Sequence, residues 1–427
     1  MTILDLIAIL ILLALLFSLL NLTVFKLPST IGLTVIALIM SIIVLAVGLI
    51  FPVVTEMARS VMEEFDFKEV LLNIMLNFLL FAGALSMNLQ RLKEERVPIF
   101  VLATIGTLLS TVIVGSLVFF IFPFFGFTLD FIYCLLFGAL ISPTDPIAVL
   151  ALIKKVGLSK KLEIKIAGES LFNDGIGVVV FLTILGVAQR GMDSFDITDV
   201  SLLFVQEVAG GLILGVIIGF LGFKLLDFID NDHTELEVLV TLSMVFVGGR
   251  IAELLHLSAP LAMVVMGLFI GNQGRNENLS NIAGEYVFKF WHLVDETLNA
   301  ILFILVGMEM IAIFHTFRVE YIGIGIVSIL IVLVARLIGV SIPVKLLSRF
   351  RTFEPQTITI LTWGGLRGGI SIALALSLVD LSWMEKSSKE IIIFITYICV
   401  VFSILGQGLT IGKVLKKLEI QRKNKLN

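Results

Sequence analysis

A succession of apolar stretches, each about as long as a membrane is thick, runs through the whole chain. Of its 427 residues, 58% are hydrophobic and only 15% are charged, and the mean hydropathy is +1.10. These values lie far outside the range of soluble globular chains. A helix crosses the hydrocarbon core with about 20 apolar residues, and such a helix satisfies its own backbone hydrogen bonds. The sequence therefore predicts an all-α polytopic membrane protein.

Thirteen runs have the length and composition of a membrane crossing. They lie at approximately 3–25, 30–52, 69–88, 97–122, 129–153, 164–189, 201–226, 235–255, 258–272, 293–315, 320–347, 355–379 and 389–415. We expect a single transmembrane domain over 1–415, followed by a short basic cytoplasmic tail at 416–427. The first run contains Asp5, lacks a basic segment before it and exceeds signal-peptide length, so we expect it to be retained as a helix.

Lysine and arginine are distributed unevenly between the two ends of these runs. The loops after odd-numbered runs, together with the C-terminal tail, hold 21 of the 30 basic residues, and the opposite ends hold 6. The remaining three, Arg250, Arg336 and Arg367, lie within runs. Basic residues favour the cytoplasmic side, so the distribution predicts a plasma-membrane protein with its N-terminus outside and its C-terminus in the cytoplasm. Membrane lipid is then an obligatory partner, and the net charge of −4 argues against nucleic acid as another.

The sixth run carries polar residues at the depth where lipid is expected. It spans 164–189 and contains Glu169, Ser170, Asn173 and Asp174. Acids at membrane depth are costly, and a segment that keeps them generally uses them. On a helix, Ser170 and Asp174 share one face, whereas Glu169 and Asp174 diverge by roughly 140°. We expect the two acids to have different roles, with Asp174 carrying a cation or a proton.

The fifth run has two prolines at mid-membrane, in the sequence SPTDP. Pro143 and Pro146 lack an N–H, so carbonyl groups such as that of Ser142 lose their helical partners and the helix must be interrupted. Free carbonyl groups at this depth must face protein or a water-filled cavity. Asp145 and Thr144 therefore lie beside exposed backbone oxygens, a set of hard oxygen ligands suited to an alkali cation.

The twelfth run contains a second predicted interruption, in the sequence GGLRGG. Gly364, Gly365, Gly368 and Gly369 surround Arg367, which weakens the helix and permits the close approach of another segment. One broken helix in each half of the chain is typical of secondary transporters built from inverted repeats. The two broken runs stand seven helices apart, an odd number, so the two halves would have opposite topology.

The buried arginine of the twelfth run needs compensation for its charge. We assign Glu169 to Arg367 as a structural ion pair, which leaves Asp174 free to exchange its ligand. Burial disfavours the charged form of a carboxyl group, so a bound proton and a bound sodium ion would compete for Asp174. Glu309 and Arg336 form a possible second internal pair, whose contact nothing in the sequence fixes.

At GESLFNDGIG in the sixth run, the chain resembles the monovalent cation:proton antiporters of the NhaP/NHE type. The resemblance extends to SPTDP, LFAGAL at 80–85, LSAPLAMVVMGLFIGN at 257–272, ILVGME at 304–309 and GGLRGGISIALAL at 364–376. It implies a thirteen-helix inverted-repeat fold with interrupted fifth and twelfth helices. It also implies a homodimer and the electroneutral exchange of Na⁺ or Li⁺ for H⁺, with no cofactor.

The resemblance also assigns roles to individual residues. By motif position, Asp174 resembles the carrier carboxylate, Asp145 and Ser170 its co-ligands, and Thr144 a contributor of backbone oxygen. Asn173 would connect the sixth helix to Thr144, and its presence before Asp174 is similar to the pattern of electroneutral members. The sodium ligands implied by the resemblance are therefore Asp174, Asp145, Ser170 and Thr144, with Asn173, Glu169 and Arg367 in support.

One position departs from the family pattern. Many members carry a glutamate in the third helix, where this chain has Ala82, so the resemblance does not fix the preference among Na⁺, Li⁺ and K⁺. A K⁺/H⁺ antiporter of the same fold stays open as an alternative, as does a sodium-coupled solute symporter, although the latter would favour additional polar residues at both breaks and few are present. An intramembrane hydrolase is disfavoured because HExxH is absent and Ser170 is not in a GxSxG setting. We expect a transporter rather than an enzyme.

Overall fold

The computed structural model describes residues 3–64, 70–156, 159–191, 197–229, 233–273, 281–314 and 317–426, and helices dominate all of these ranges. In chain order the helices are α1 (Leu4–Phe25), α2 (Ser29–Gly48), α3 (Pro52–Glu64), α4 (Val70–Ser86), α5 (Leu89–Glu94), α6 (Arg96–Phe125), α7 (Phe131–Ile141), α8 (Ile147–Val156), α9 (Lys160–Arg190), α10 (Ile197–Phe228), α11 (Thr234–Leu254), α12 (Ala259–Gln273), α13 (Asn281–Met308), α14 (Met310–Phe314), α15 (Tyr321–Leu347), α16 (Thr357–Trp363), α17 (Gly369–Leu376), α18 (Lys386–Phe402) and α19 (Gly408–Leu426). A π-helical turn, Ser403–Gln407, joins α18 to α19.

Eight helical spans in the described ranges are long and apolar enough to cross a membrane, and shorter apolar helices accompany them. The predicted fifth and twelfth runs are each divided into two short helices, α7 with α8 and α16 with α17. Both predicted interruptions are therefore confirmed, while the total of thirteen crossings stays a prediction. The segment predicted as a tail from 416 continues the helix α19.

The long helix α9 holds most of the polar residues of the sixth run. It begins where the Ser159 hydroxyl accepts a hydrogen bond from the Leu162 N–H at 3.2 Å, an N-cap that satisfies one free backbone donor. It ends at Gly191, whose φ of 85° suits a residue without a side chain. Between these ends the helix is continuous, so the polar residues around Asn173 are fixed on a rigid element.

The helices pack as two groups that meet at α9. One group contains α2, α4, α10, α11, α12 and α13, and the other contains α6, α7, α15, α17 and α18. Helix α9 packs against α7 in the second group and against α10 and α12 in the first. The polar segment of α9 therefore lies between the two groups, next to both broken helices.

Candidate ion-binding site

The two broken helices cross at their unwound segments. Helix α7 ends at Ile141 and α8 begins at Ile147, while α16 ends at Trp363 and α17 begins at Gly369. In the gaps, the Asp145 N–H donates to the Leu366 carbonyl at 2.8 Å. This bond satisfies part of the backbone that the interruptions leave without helical partners.

Glycines allow this crossing to be tight. A Cβ built on Gly368 would lie 2.9 Å from both Cβ and Oδ2 of Asp145, and one on Gly365 would lie 2.5 Å from Nε of Arg336. On α9, a Cβ at Gly177 would lie 2.3 Å from Cγ of Pro143. The predicted close approach to the glycine-rich segment is therefore confirmed. Both the backbone of Asp145 and the side chains of Asp145 and Arg336 lie against it.

Helix α9 is fastened to the first crossing segment through Thr144. The Thr144 N–H donates to Oδ1 of Asn173 at 3.2 Å, and Nδ2 of Asn173 donates to the Thr144 hydroxyl at 2.9 Å. The Ser170 hydroxyl donates to the Thr144 carbonyl. The predicted connection between Asn173 and Thr144 is confirmed, and the Ser170 hydroxyl lies against the Thr144 carbonyl oxygen.

Asp145 and Asp174 line one cavity of about 760 Å³. Oδ1 of Asp145 accepts a hydrogen bond from the Ile147 N–H at 2.9 Å, which holds this side chain at the start of α8. Thr144 and Ser170 also line the cavity. Within the described ranges the Asp174 carboxylate has neither a hydrogen-bond partner nor an ion-pair partner. The four residues predicted as sodium ligands thus lie together on one cavity. Among them, the side chain of Asp174 is the one without a bonded partner in the described part of the chain.

The predicted ion pair between Glu169 and Arg367 is wrong. Glu169 pairs with Arg336 of α15, with Oε1 and Nη1 2.5 Å apart, and their side chains are 2% and 8% exposed. Arg336 also donates to the Leu361 carbonyl through Nε at 3.2 Å and Nη2 at 3.1 Å. The possible pair between Glu309 and Arg336 is therefore also replaced by this contact.

Arg367 is compensated by backbone oxygen. Its Nη1 donates to the carbonyls of Ser142 and Pro143, the latter at 2.9 Å. These carbonyls lie just beyond the C-terminal end of α7, where the aligned peptide dipoles place partial negative charge. The Ser142 carbonyl, which has no helical donor because Pro146 lacks an N–H, thus binds the guanidinium group of Arg367. Glu169 pairs with Arg336 instead.

The cavity opens toward one end of the helices. Its wall includes Ser29 at the start of α2, Ser86 at the end of α4, and Glu285 and Lys289 near the start of α13. A second cavity of about 640 Å³ lies at the other ends of the helices, where it is lined by Glu253 and other residues. The two aspartates therefore communicate with one face of the protein.

Residues 10–417 match the family described as sodium/hydrogen exchanger, transmembrane. This chain belongs to the sodium/hydrogen exchanger family. It is 44% identical over 420 residues to the Na(+)/H(+) antiporter NhaP of Pseudomonas aeruginosa, covering 97% of each chain. It is also 30% identical over 400 residues to the Na(+)/H(+) antiporter NhaH of Halobacillus dabanensis, covering 92% of each.

A solved structure has the same fold as this exchanger-family chain. The sodium proton antiporter MjNhaP1 from Methanocaldococcus jannaschii at pH 8 matches with a TM-score of 0.76 at 21% identity, covering 98% of this chain and 99% of that one. The predicted family and the all-α antiporter fold are confirmed. The chain is a multi-pass membrane protein of a transporter family, and it is not an enzyme.

Two supporting residues of this exchanger-family site are not among those predicted from the sequence. The Arg367 N–H donates to the Ser403 hydroxyl at 2.8 Å, and that hydroxyl donates to Oε1 of Gln407 at 2.7 Å. Nε2 of Gln407 donates to the Trp363 carbonyl at 3.1 Å. The π-helical turn between α18 and α19 thus supports both sides of the unwound segment before α17. The available signal was a serine and a glutamine four residues apart within a largely apolar run.

Proposed function

We propose that this family member exchanges one Na⁺ or Li⁺ for one proton by competition at Asp174. The observation that carries the proposal is the setting of this carboxylate, which faces the large cavity beside Asp145 and has no fixed partner within the described ranges. A carboxylate without a permanent partner can take either a proton or a cation. The two relatives described above are Na⁺/H⁺ antiporters by name.

The other polar residues have partners that leave Asp174 as the exchanging group. Glu169 is paired with Arg336, and Asn173 is bonded to Thr144 through both atoms of its amide group. Asp145 is held by the Ile147 N–H. The proposed sodium site combines the Asp174 and Asp145 carboxylates with oxygens of Ser170 and Thr144, which are hard ligands of the kind that hard cations prefer. One carrier carboxylate that releases a proton when it binds a cation gives electroneutral exchange.

The arrangement of the two cavities supports a mechanism of alternating access. On the orientation predicted from the basic residues, the cavity that reaches Asp174 opens to the cytoplasm, and the second cavity opens to the outside. We propose a plasma-membrane protein in which α9 moves together with the group containing α7 and α17, relative to the group containing α4 and α13. The proposal includes a single transmembrane unit over 1–415, a basic cytoplasmic end at 416–427, and a homodimer, which the family resemblance supports.

Flux measurements in proteoliposomes test this function. With an imposed pH gradient and an internal pH dye, we expect added Na⁺ or Li⁺ to dissipate the gradient. Dissipation by added K⁺ alone would instead indicate a K⁺/H⁺ antiporter. A valinomycin-clamped membrane potential should leave the exchange rate unchanged because no net charge moves. If no monovalent cation dissipates the gradient, the proposed function fails.

The carrier role is tested by Asp174→Asn. The variant removes the exchangeable charge but keeps the size of the side chain, so we expect it to elute as a folded protein and to lose at least a hundredfold in exchange rate. Asp130→Asn, at the start of α7 and away from the described cavity, is the matched control. Sodium-driven proton flux in Asp174→Asn at the wild-type rate would rule out this carrier.

A further inference from the structure

One face of α13 forms a wall of the large cavity from its mouth to its floor. Cavity-lining residues recur along this helix at intervals of three or four, as expected for one helical face, and they include Glu285, Lys289, His292, Asp295, Asn299 and Leu302. At the floor, a Cβ on Gly369 would lie 2.3 Å from Cδ1 of Leu302, so this end of the face contacts the start of α17. A cation that travels along the wall therefore arrives next to Gly368, which abuts Asp145.

Asp295 and Asn299 occupy the middle of this face. Nδ2 of Asn299 donates to Oδ1 of Asp295 at 2.9 Å, so the amide orients the carboxylate. Asn299 is only 5% exposed, and within the described ranges its Oδ1 has no hydrogen-bond partner. Leaving a buried polar atom unpaired costs about 1–3 kcal/mol. An oxygen in this condition on a cavity wall is suited to coordinate a ligand.

A second such oxygen lies on another wall of the same cavity. Ser371 of α17 is 1% exposed, and its hydroxyl has no partner among the described residues. The cavity thus presents a carboxylate, an amide oxygen and a hydroxyl, all of them hard oxygen ligands. Lys289, the nearest lysine on this face of α13, is paired with Glu285 at 2.7 Å. The chemistry of these groups favours a cation over an anion or an organic substrate.

We propose that Asp295 and Asn299 form a second monovalent-cation subsite, which a cation occupies before it reaches Asp174 and Asp145. The inference rests on the proposed function for its role in transport. At this subsite the cation exchanges part of its water for protein oxygen halfway along the cavity. Asp295 and Asp145 line the same cavity, and two carboxylates on one passage attract positive charge along it. The subsite thus raises the cation concentration beside the carrier. Ala82, which stands where many family members carry a glutamate, lines the same cavity, so Asp295 of α13 provides a carboxylate there from a different helix.

Transport by Asp295→Asn tests the subsite in the reconstituted protein. We expect the KM for Na⁺ on the cavity side to rise about tenfold and the maximal rate to change less than twofold, because the carrier itself is intact. Asn299→Ala should also raise the KM for Na⁺. Asp295→Glu keeps the carboxylate, so its KM should lie closer to the wild-type value than that of Asp295→Asn. Elution as a folded protein is checked for every variant.

Glu296→Gln is the matched control, because Glu296 is the neighbouring acid on the same cavity but is exposed. In about 1 M choline chloride the Debye length is about 3 Å, so long-range attraction is removed while direct coordination survives. The KM difference between Asp295→Asn and wild type should persist in this medium. Equal effects of Glu296→Gln and Asp295→Asn, or disappearance of the difference in choline chloride, would overturn the subsite.

Equilibrium binding of ²²Na⁺ separates this inference from the proposed function. Purified Asp174→Asn protein should retain weak binding, which Asp174→Asn/Asp295→Asn loses and Asp174→Asn/Glu296→Gln keeps. Binding to Asp174→Asn that is absent, or that is unaffected by the Asp295 change, would contradict the subsite. Binding that depends on Asp295, together with a wild-type protein that exchanges no monovalent cation for protons, would refute the antiporter proposal alone.

Discussion

Glu169 and Arg336 form a buried, hydrogen-bonded ion pair between α9 and α15. Removing one partner of such a pair leaves an uncompensated buried charge and lowers the free energy of unfolding by about 3–5 kcal/mol. The net contribution of the intact pair to the free energy of unfolding is smaller than this cost, because both charges were desolvated on burial. Two further hydrogen bonds from Arg336 to Leu361 extend the contact to α16. The pair therefore positions α9 against the broken helix, and we propose that it takes no part in ion exchange.

This assignment predicts strong energetic coupling between Glu169 and Arg336. Glu169→Gln and Arg336→Gln should each lower the free energy of unfolding by about 3–5 kcal/mol, and the double variant should lose clearly less than the sum. Thermal unfolding of the purified protein in detergent gives the three values. Arg367→Gln serves as the comparison, since Arg367 donates to backbone carbonyls. A coupling of Glu169 with Arg367 that matches or exceeds the coupling with Arg336 would show that the pairing is misassigned.

At the scale of helices, Gly368 is the glycine of the crossing that lies against a proposed sodium ligand. Gly368 has φ −118° and ψ −165°, an extended conformation open to any residue, so backbone strain does not require glycine there. The requirement is contact, because an added Cβ would lie 2.9 Å from the Asp145 carboxylate. Gly368 thus sets the distance between the unwound segment of α16–α17 and a proposed sodium ligand.

Gly368→Ala should therefore displace Asp145 and reduce Na⁺-driven proton flux at least tenfold in proteoliposomes. Gly186→Ala is the control within α9, because a Cβ there meets nothing within 4 Å. Alanine is favoured over glycine in a helix by about 1 kcal/mol, so this control should keep its activity and melt at the same or a higher temperature. Wild-type flux in Gly368→Ala would contradict the proposed role of the close contact.

The helix breaks could be predicted from sequence because they depend on local chemistry. Pro143 and Pro146 remove donors wherever they stand, and the apolar length around them places the break in the membrane. The choice of partner for Glu169 could not be predicted this way, because Arg336 and Arg367 are both buried arginines far away along the chain. Only the fold shows that the freed carbonyl of Ser142 takes Arg367.

At the scale of the whole molecule, two cavities approach the same helices from opposite ends. The larger one contains both aspartates of the site, and the smaller one is lined by Glu253 and by residues near the other ends of α9 and α17. Leu76 of α4 lines both. Movement of one helix group past the other near Leu76 would transfer access from one cavity to the other, as alternating access requires.

Ser86 and Glu253 provide positions from which the direction of access can be measured. Ser86 is exposed at the mouth of the larger cavity, and Glu253 has a side chain 64% exposed at the smaller one. Both native cysteines, Cys134 and Cys399, are buried, so Cys→Ala at these positions gives a background without thiols. In that background, a membrane-impermeant maleimide should label Glu253→Cys on intact cells. It should label Ser86→Cys only in inverted vesicles, because the basic residues predict that the larger cavity faces the cytoplasm. The reverse pattern would invert the orientation and make the larger cavity the external one, while labelling of both variants from one side would refute their placement at opposite membrane faces.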